Sequence, residues 1–170
     1  MIQIINDMNK EYGFNYGIDM LTASRALAIS RGELKGILND RSREEVRKSS
    51  RYVETIAQSG KAVYGINTGF GPLCTTMISS EDTRKLQSNI LKSHAVGVGK
   101  FIDVELSRIM LVLKLHALSK GYSGIQEATL DRMIWHLETD AIPLMPEQGS
   151  VGASEDLAPL SHLFLPLIGL

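Results

Sequence analysis

Cysteine occurs once, at Cys74, in a chain of 170 residues. A disulfide within the chain is excluded, and the composition fits a reducing, cytoplasmic setting. Cys74 itself reads as a small, partly buried residue and not as a nucleophile. Charge of one sign is also missing. The formal net charge is -1, so no basic field favours nucleic acid or an anionic membrane. The apolar runs fall short of the ~20 residues that a membrane helix needs. The opening MIQIINDMNKEYGF is broken by Asp7, Lys10 and Glu11, which is not the pattern of a signal peptide. Internal repeats and low-complexity stretches are absent. No two of His94, His116, His136 and His162 stand at the His-x-x-x-His spacing of a helical metal site. What is present is ordinary globular composition, 44% hydrophobic and 22% charged, with enough chain for one domain and its core.

Helical patterns dominate. Ser42 and Glu45 have capping-box spacing, and Val46, Val53, Ile56 and Ala57 then share one helical face. Ser79 or Ser80 can cap a second helix, with Glu81 and Asp82 in its first turn and a break at Gly97 and Gly99. Asp103 can cap a third, VELSRIMLVLKLHALSKG, stopped by Gly121. Its apolar character almost all round predicts a central, buried helix. A fourth runs from Gln126 to Glu138, with Leu130, Met133, Ile134 and Leu137 inward. Asp156 can cap a fifth beginning at Leu157, with Pro159 tolerated in its first turn and Pro166 kinking or ending it. The one extended candidate is KAVYGINTGFGPL. The expected fold is mainly α, with little sheet and two glycine-rich loops.

Those loops are the chemically suggestive parts. YGINTGFGPL, from Tyr64 to Leu73, lacks the Gly-Lys-Ser/Thr ending of a phosphate loop and the third glycine of a dinucleotide fingerprint. Gly152-Ala153-Ser154-Glu155-Asp156 approaches the hydrolase elbow Gly-x-Ser-x-Gly but ends on Asp, and no α/β sheet is in view to carry it. His116, His136 and His162 read as structural helix histidines. His94 differs, because it precedes the break AVGVG and sits at a helix end, where a side chain can face a cavity.

Taken together, YGINTGFGPL, SHAVGVG and GSVGASEDLAPLSHL resemble the histidine and aromatic amino acid ammonia-lyase family, from about Tyr64 to Leu170. The family's proteins are much longer. The resemblance, with the apolar end HLFLPLIGL, implies that residues 1–170 are the N-terminal, prosthetic-group-bearing portion of a lyase, without its C-terminal helical part. In the family an Ala-Ser-Gly triplet cyclises to 4-methylidene-imidazol-5-one, with no external cofactor. The nitrogen of the third residue bonds the carbonyl carbon of the first, two waters leave, and the serine becomes an exocyclic methylene. The matching residues are Ala153, Ser154 and Glu155. Tyr64 matches the family's base at the β-carbon. A phenol ordinarily ionises near pH ~10, so such a base needs surroundings that favour phenolate. His94 matches a position in the pocket for the substrate side chain. Asn67 and Gly71 match loop-shaping positions.

The resemblance implies elimination of ammonia from L-histidine to give trans-urocanate, a step of histidine catabolism. It also implies a small-molecule amino acid as substrate and a homotetramer as the assembly, with neither nucleic acid nor membrane as partner. The departure is Glu155, where the family has Gly. It adds a Cβ and a charge to a loop that must compress, so ring formation is expected to suffer. Two alternatives stay open: a tyrosine or phenylalanine ammonia-lyase, and a non-catalytic homologue or fragment.

Overall fold

The computed structural model describes residues 13–149 and 157–170. The chain divides into two compact units, one of Met1–Ser50 and Asp103–Ile142, the other of Arg51–Ile102 and Pro143–Leu170.

The first unit begins with β1 (Phe14–Asn15), α1 (Ala23–Ser30) and β2 (Gly36–Ile37). β1 and β2 pair in parallel, Phe14 with Gly36 and Asn15 with Ile37. Thr22 caps α1 by accepting from the Arg25 N–H. α2 spans Asp40–Gln58. Its start is set by Asn39, whose Oδ1 accepts from the Ser42 N–H at 3.0 Å. The Ser42–Glu45 spacing thus marks the right helix but not its cap. Ser42 lies inside the helix, and its hydroxyl donates to the Tyr16 carbonyl at 2.6 Å.

After α3 (Ser80–His94), which belongs to the second unit, α4 spans Val104–Leu118 and α5 spans Glu127–Glu138. Asp103 caps α4 through the Glu105 N–H, as its side chain predicts. α1 and α5 both pack on α4, and Leu111, Val112, Leu115, Leu130 and Met133 are buried there. The outward face of α4 is not covered. Leu106 and Leu113 are exposed, because two neighbouring helices enclose only part of an all-round apolar surface. Arg43 and Arg47 of α2 both bind Glu127 of α5, at 2.6 and 3.0 Å, and Arg43 also reaches Asp131 at 2.9 Å. The hydrogen bond from Arg43 is the main reason the Glu127 carboxyl is held below its usual range.

In the second unit, α3 (Ser80–His94) is capped by Ser79, which accepts from the Asp82 N–H at 3.1 Å. β3 (Val98–Phe101) pairs antiparallel with β4 (Pro146–Gln148) through a register irregularity, Val98 opposite Gln148 and Phe101 opposite Pro146. α6 (Leu157–Phe164) packs against α3. It gives way to a 3₁₀ turn, Leu165–Ile168, that contains Pro166. The mainly helical expectation holds, and among the described residues the sheet is confined to two short pairs. The extended reading of Lys61–Leu73 does not hold. That segment is a series of turns with a 3₁₀ turn at Gly71–Leu73, joined to its surroundings by one bridge, Thr68 with Met77. No helix among the described residues is long and apolar enough to cross a membrane.

Candidate active site

The turns of Lys61–Leu73 are folded around one side chain. Asn67 is 3% exposed. Its Oδ1 accepts from the Val63 N–H at 2.8 Å, and its Nδ2 donates to the Lys61 carbonyl at 2.8 Å. The Ile66 N–H closes onto the Val63 carbonyl at 3.1 Å. A buried amide thus takes the place of a strand partner and explains why the segment is not extended. The loop-shaping expectation for Asn67 has this physical content. Between these anchors Tyr64 is displayed, 62% exposed. Its ring meets Phe70 edge-on at 5.7 Å, so the ring is steadied while the phenol stays accessible. Gly71, the other loop-shaping candidate, opens the 3₁₀ turn with φ +56°. Cys74 just after it is exposed, and not partly buried as its residue type suggests.

His94 is the last residue of α3. Its Nδ1 lies 2.9 Å from the Ile90 carbonyl and 3.0 Å from the Ser93 hydroxyl. A carbonyl only accepts, so Nδ1 carries the proton in that bond. In that tautomer the lone pair is on Nε2. A histidine held this way offers a fixed acceptor to a donor group.

The segment after His94 is tightly constrained. The Ala95 N–H donates to the Leu91 carbonyl at 3.0 Å. The Gly97 N–H donates to Nε2 of His162, on α6, at 2.9 Å. A Cβ on Gly97 would stand 2.9 Å from that nitrogen and 3.0 Å from Pro146. A Cβ on Gly149 would stand 3.0 Å from both the Gly97 Cα and the Ala158 Cβ. At both positions a Cβ would sit closer than ordinary van der Waals contact, which favours glycine there. Ala153, Ser154 and Glu155 lie outside the described residues. The described chain on either side of them, Gly149 and α6, is in each case fastened to the segment that follows His94.

Tyr64 and His94 belong to the same unit, and no hydrogen bond or ring contact among the described residues joins one to the other. Each of the other three histidines is hydrogen-bonded to backbone. His116 Nδ1 accepts from the Gly17 N–H at 3.2 Å, and burial is the main cause of its lowered pKa. His136 Nδ1 pairs with the Ala141 carbonyl at 2.8 Å. The His162 contact is one that sequence reasoning missed, since its partner lies 65 residues away. No group of three His, Cys, Asp or Glu among the described residues could hold a metal ion.

Comparison with known proteins bears on this arrangement. A family model for "Aromatic amino acid lyase" matches residues 21–170. The chain is 45% identical over 150 residues to a histidine ammonia-lyase of Symbiobacterium thermophilum, covering 88% of this chain and 30% of the relative. It is 49% identical over 125 residues to that of Shouchella clausii, covering 74% and 25%. Among solved structures, the histidine ammonia-lyase of Trypanosoma cruzi superposes with a TM-score of 0.79 at 33% identity, over 92% of this chain and 30% of that one. The tyrosine aminomutase of Streptomyces globisporus superposes with 0.84 at 29% identity, over 93% and 30%. The chain spans about 30% of the length of the curated relatives it matches most fully. With the family model covering nearly the whole chain, a tyrosine-bearing loop shaped by Asn67 and a histidine fixed at the end of α3 stand in a member of the aromatic amino acid lyase family.

Proposed function

We propose that the protein to which this chain belongs eliminates ammonia from L-histidine to give trans-urocanate. The chain would be the N-terminal, prosthetic-group-bearing portion of that enzyme, in keeping with the 30% of the relatives that it spans. The observation that carries the choice of substrate is His94. With Nδ1 engaged by Ile90, its Nε2 is left to accept from an imidazole N–H of the substrate. The identity with histidine ammonia-lyases supports the same reading. A phenol O–H could donate to the same nitrogen, and the likeness to a tyrosine aminomutase favours a tyrosine substrate as the second reading.

Tyr64 takes the β-proton. Its exposure and its support by Asn67 and Phe70 suit a base that must meet a substrate carbon at a defined place. Ala153, Ser154 and Glu155 supply every atom that 4-methylidene-imidazol-5-one needs: a carbonyl carbon, a serine side chain and a third backbone nitrogen. That group, once formed, provides an electrophile that turns the substrate's amine into a better leaving group. Glu155 fits less well than Gly, because a Cβ restricts the backbone at the closing nitrogen. The adjacent carboxylates of Glu155 and Asp156 also oppose negative charge on the attacked carbonyl oxygen. Glu155 therefore lowers the fraction of chains that cyclise. The single, exposed Cys74 accords with a cytoplasmic setting. The exposed apolar residues of the second unit, Val96, Val98 and Phe101 among them, accord with burial in a homotetramer.

The test compares the full-length protein with its Glu155→Gly variant by intact mass and by urocanate release. The expected result is a larger fraction lighter by two waters, and faster release, for the variant. Equal fractions and equal rates would refute the reading of Glu155. Absence of histidine turnover in both, with the ring formed, would refute the substrate.

A further inference from the structure

We infer that His162 is a positioning residue for His94, acting through the backbone of Gly97. The inference rests on the reading of His94 as the residue that meets the substrate side chain. His94 closes α3, and four residues later the chain enters β3. The turn between is fixed at both ends. On the α3 side the Ala95 N–H holds the Leu91 carbonyl at 3.0 Å. On the far side the Gly97 N–H reaches Nε2 of His162 at 2.9 Å. The Gly97 amide has no helical or ladder partner, so this imidazole satisfies a half-buried backbone donor. Because an N–H can only donate, the neutral His162 ring accepts at Nε2 and carries its proton on Nδ1.

Space at this point is as restricted as bonding. Gly97 has Pro146 of β4 on one side and His162 on the other, each near 3 Å from where a Cβ would stand. Gly149 packs on the Gly97 Cα and on Ala158, in the first turn of α6. The turn after His94 is thus clamped between β4 and α6. His162 is the member of the clamp that contributes a directional bond. A phenylalanine at 162 would fill the same volume, leave the Gly97 N–H without an acceptor, and let the turn shift toward water. The end of α3, and with it the His94 ring, would then lose its fixed place. A glutamine at 162 can bring a carbonyl oxygen near the position of Nε2 and should preserve the clamp.

The experiment uses the full-length protein carrying Glu155→Gly, with His162→Phe and His162→Gln compared in that background. In hydrogen exchange, His162→Phe should speed exchange of the Gly97 amide about tenfold or more, as expected for loss of one hydrogen bond to a half-buried donor. His162→Gln should stay near the parent, and peptides from α4 should not change. In kinetics, His162→Phe should raise KM for L-histidine about tenfold and move kcat much less, with His162→Gln restoring KM. Gly97 exchange that is unaltered by His162→Phe overturns the inference. So does faster exchange with an unchanged KM, which would make His162 a stabilising residue only. If the parent does not turn over histidine, the proposed function fails. His162 is then judged by the His94 ring signal in a sample labelled at histidine Cε1. A shift in His162→Phe that His162→Gln reverses upholds the clamp, and an unchanged signal overturns it.

Discussion

The two units use their apolar residues differently. In the first, Phe14, Ile29, Leu111, Val112, Leu115, Leu130 and Met133 are buried together, and Arg43, Arg47 and Glu127 tie α2 to α5. In the second, the buried apolar side chains among the described residues are Met145, Ala158 and Leu163, while Tyr64, Phe70, Leu73, Val96, Val98 and Phe101 are exposed. Shape there comes from polar clamps instead: the Asn67 amide, the His162 imidazole and close glycine contacts. The first unit is organised by burial and the second by specific bonds. The described site candidates, Tyr64 and His94, both belong to the second, where fewer side chains are consumed in a core.

If that division is right, a change at the displayed tyrosine should separate activity from stability. Tyr64→Phe in the active full-length protein should slow urocanate formation by about 10²–10⁴-fold, the usual worth of a positioned base. Its thermal midpoint should hardly move, because the phenol is exposed. Equal loss of stability and rate would erase the contrast. The converse change lies in the first unit. Leu115 is fully buried in α4, and Leu115→Ala should cost about 2–5 kcal/mol by urea unfolding. A cost typical of a surface site would show that the first unit does not depend on its core.

Much of the helical structure of both units was legible in the sequence, because its determinants are local. Asp103 and Ser79 announce their helices by residue type and spacing, and both caps form as expected. The β pairs were not legible. Strands of two to four residues have no periodicity to read, and their partners lie far along the chain. Lys61–Leu73 misled for a related reason. Val63, Ile66 and Phe70 suit a strand, but the folded loop depends on what the Asn67 amide can reach. The site divides the same way. Tyr64, His94 and the triplet Ala153-Ser154-Glu155 stand out as motif residues. His162 does not, since its meaning lies in a backbone amide 65 residues away.

A smaller effect tests the polar clamps directly. Asn67→Ala removes two hydrogen bonds made by a buried side chain, and about 1–3 kcal/mol of stability should go with them. The rate of a Tyr64-dependent step should fall as well, although Asn67 touches no reacting atom. An unchanged rate would mean that the loop holds its shape without the amide.

The smallest effect is expected from acid. His116 accepts from the Gly17 N–H only when neutral, and burial, with Lys120 nearby, lowers its pKa below the ordinary 6.5. A lowered value means that the contribution is complete above pH 6.5 and disappears as pH falls through the folded value. Glu127, also lowered, loses its contribution at more acid pH, below the ordinary 4.5. Urea midpoints measured across this range should fall in that order. His116→Asn, which keeps an acceptor without a titrating ring, should remove the first fall and leave the second.

The contact between Gly97 and Gly149 has a consequence for how such a site can be found or altered. A Cβ on Gly97 would crowd His162 and Pro146, and one on Gly149 would crowd Ala158 and Gly97 itself, so a library randomised at both should favour glycine at both under selection for folding. Two positions that each admit one residue carry no mutual information, however close they are. Statistical methods that infer contacts from paired variation will pass over this touching pair and report its more permissive neighbours.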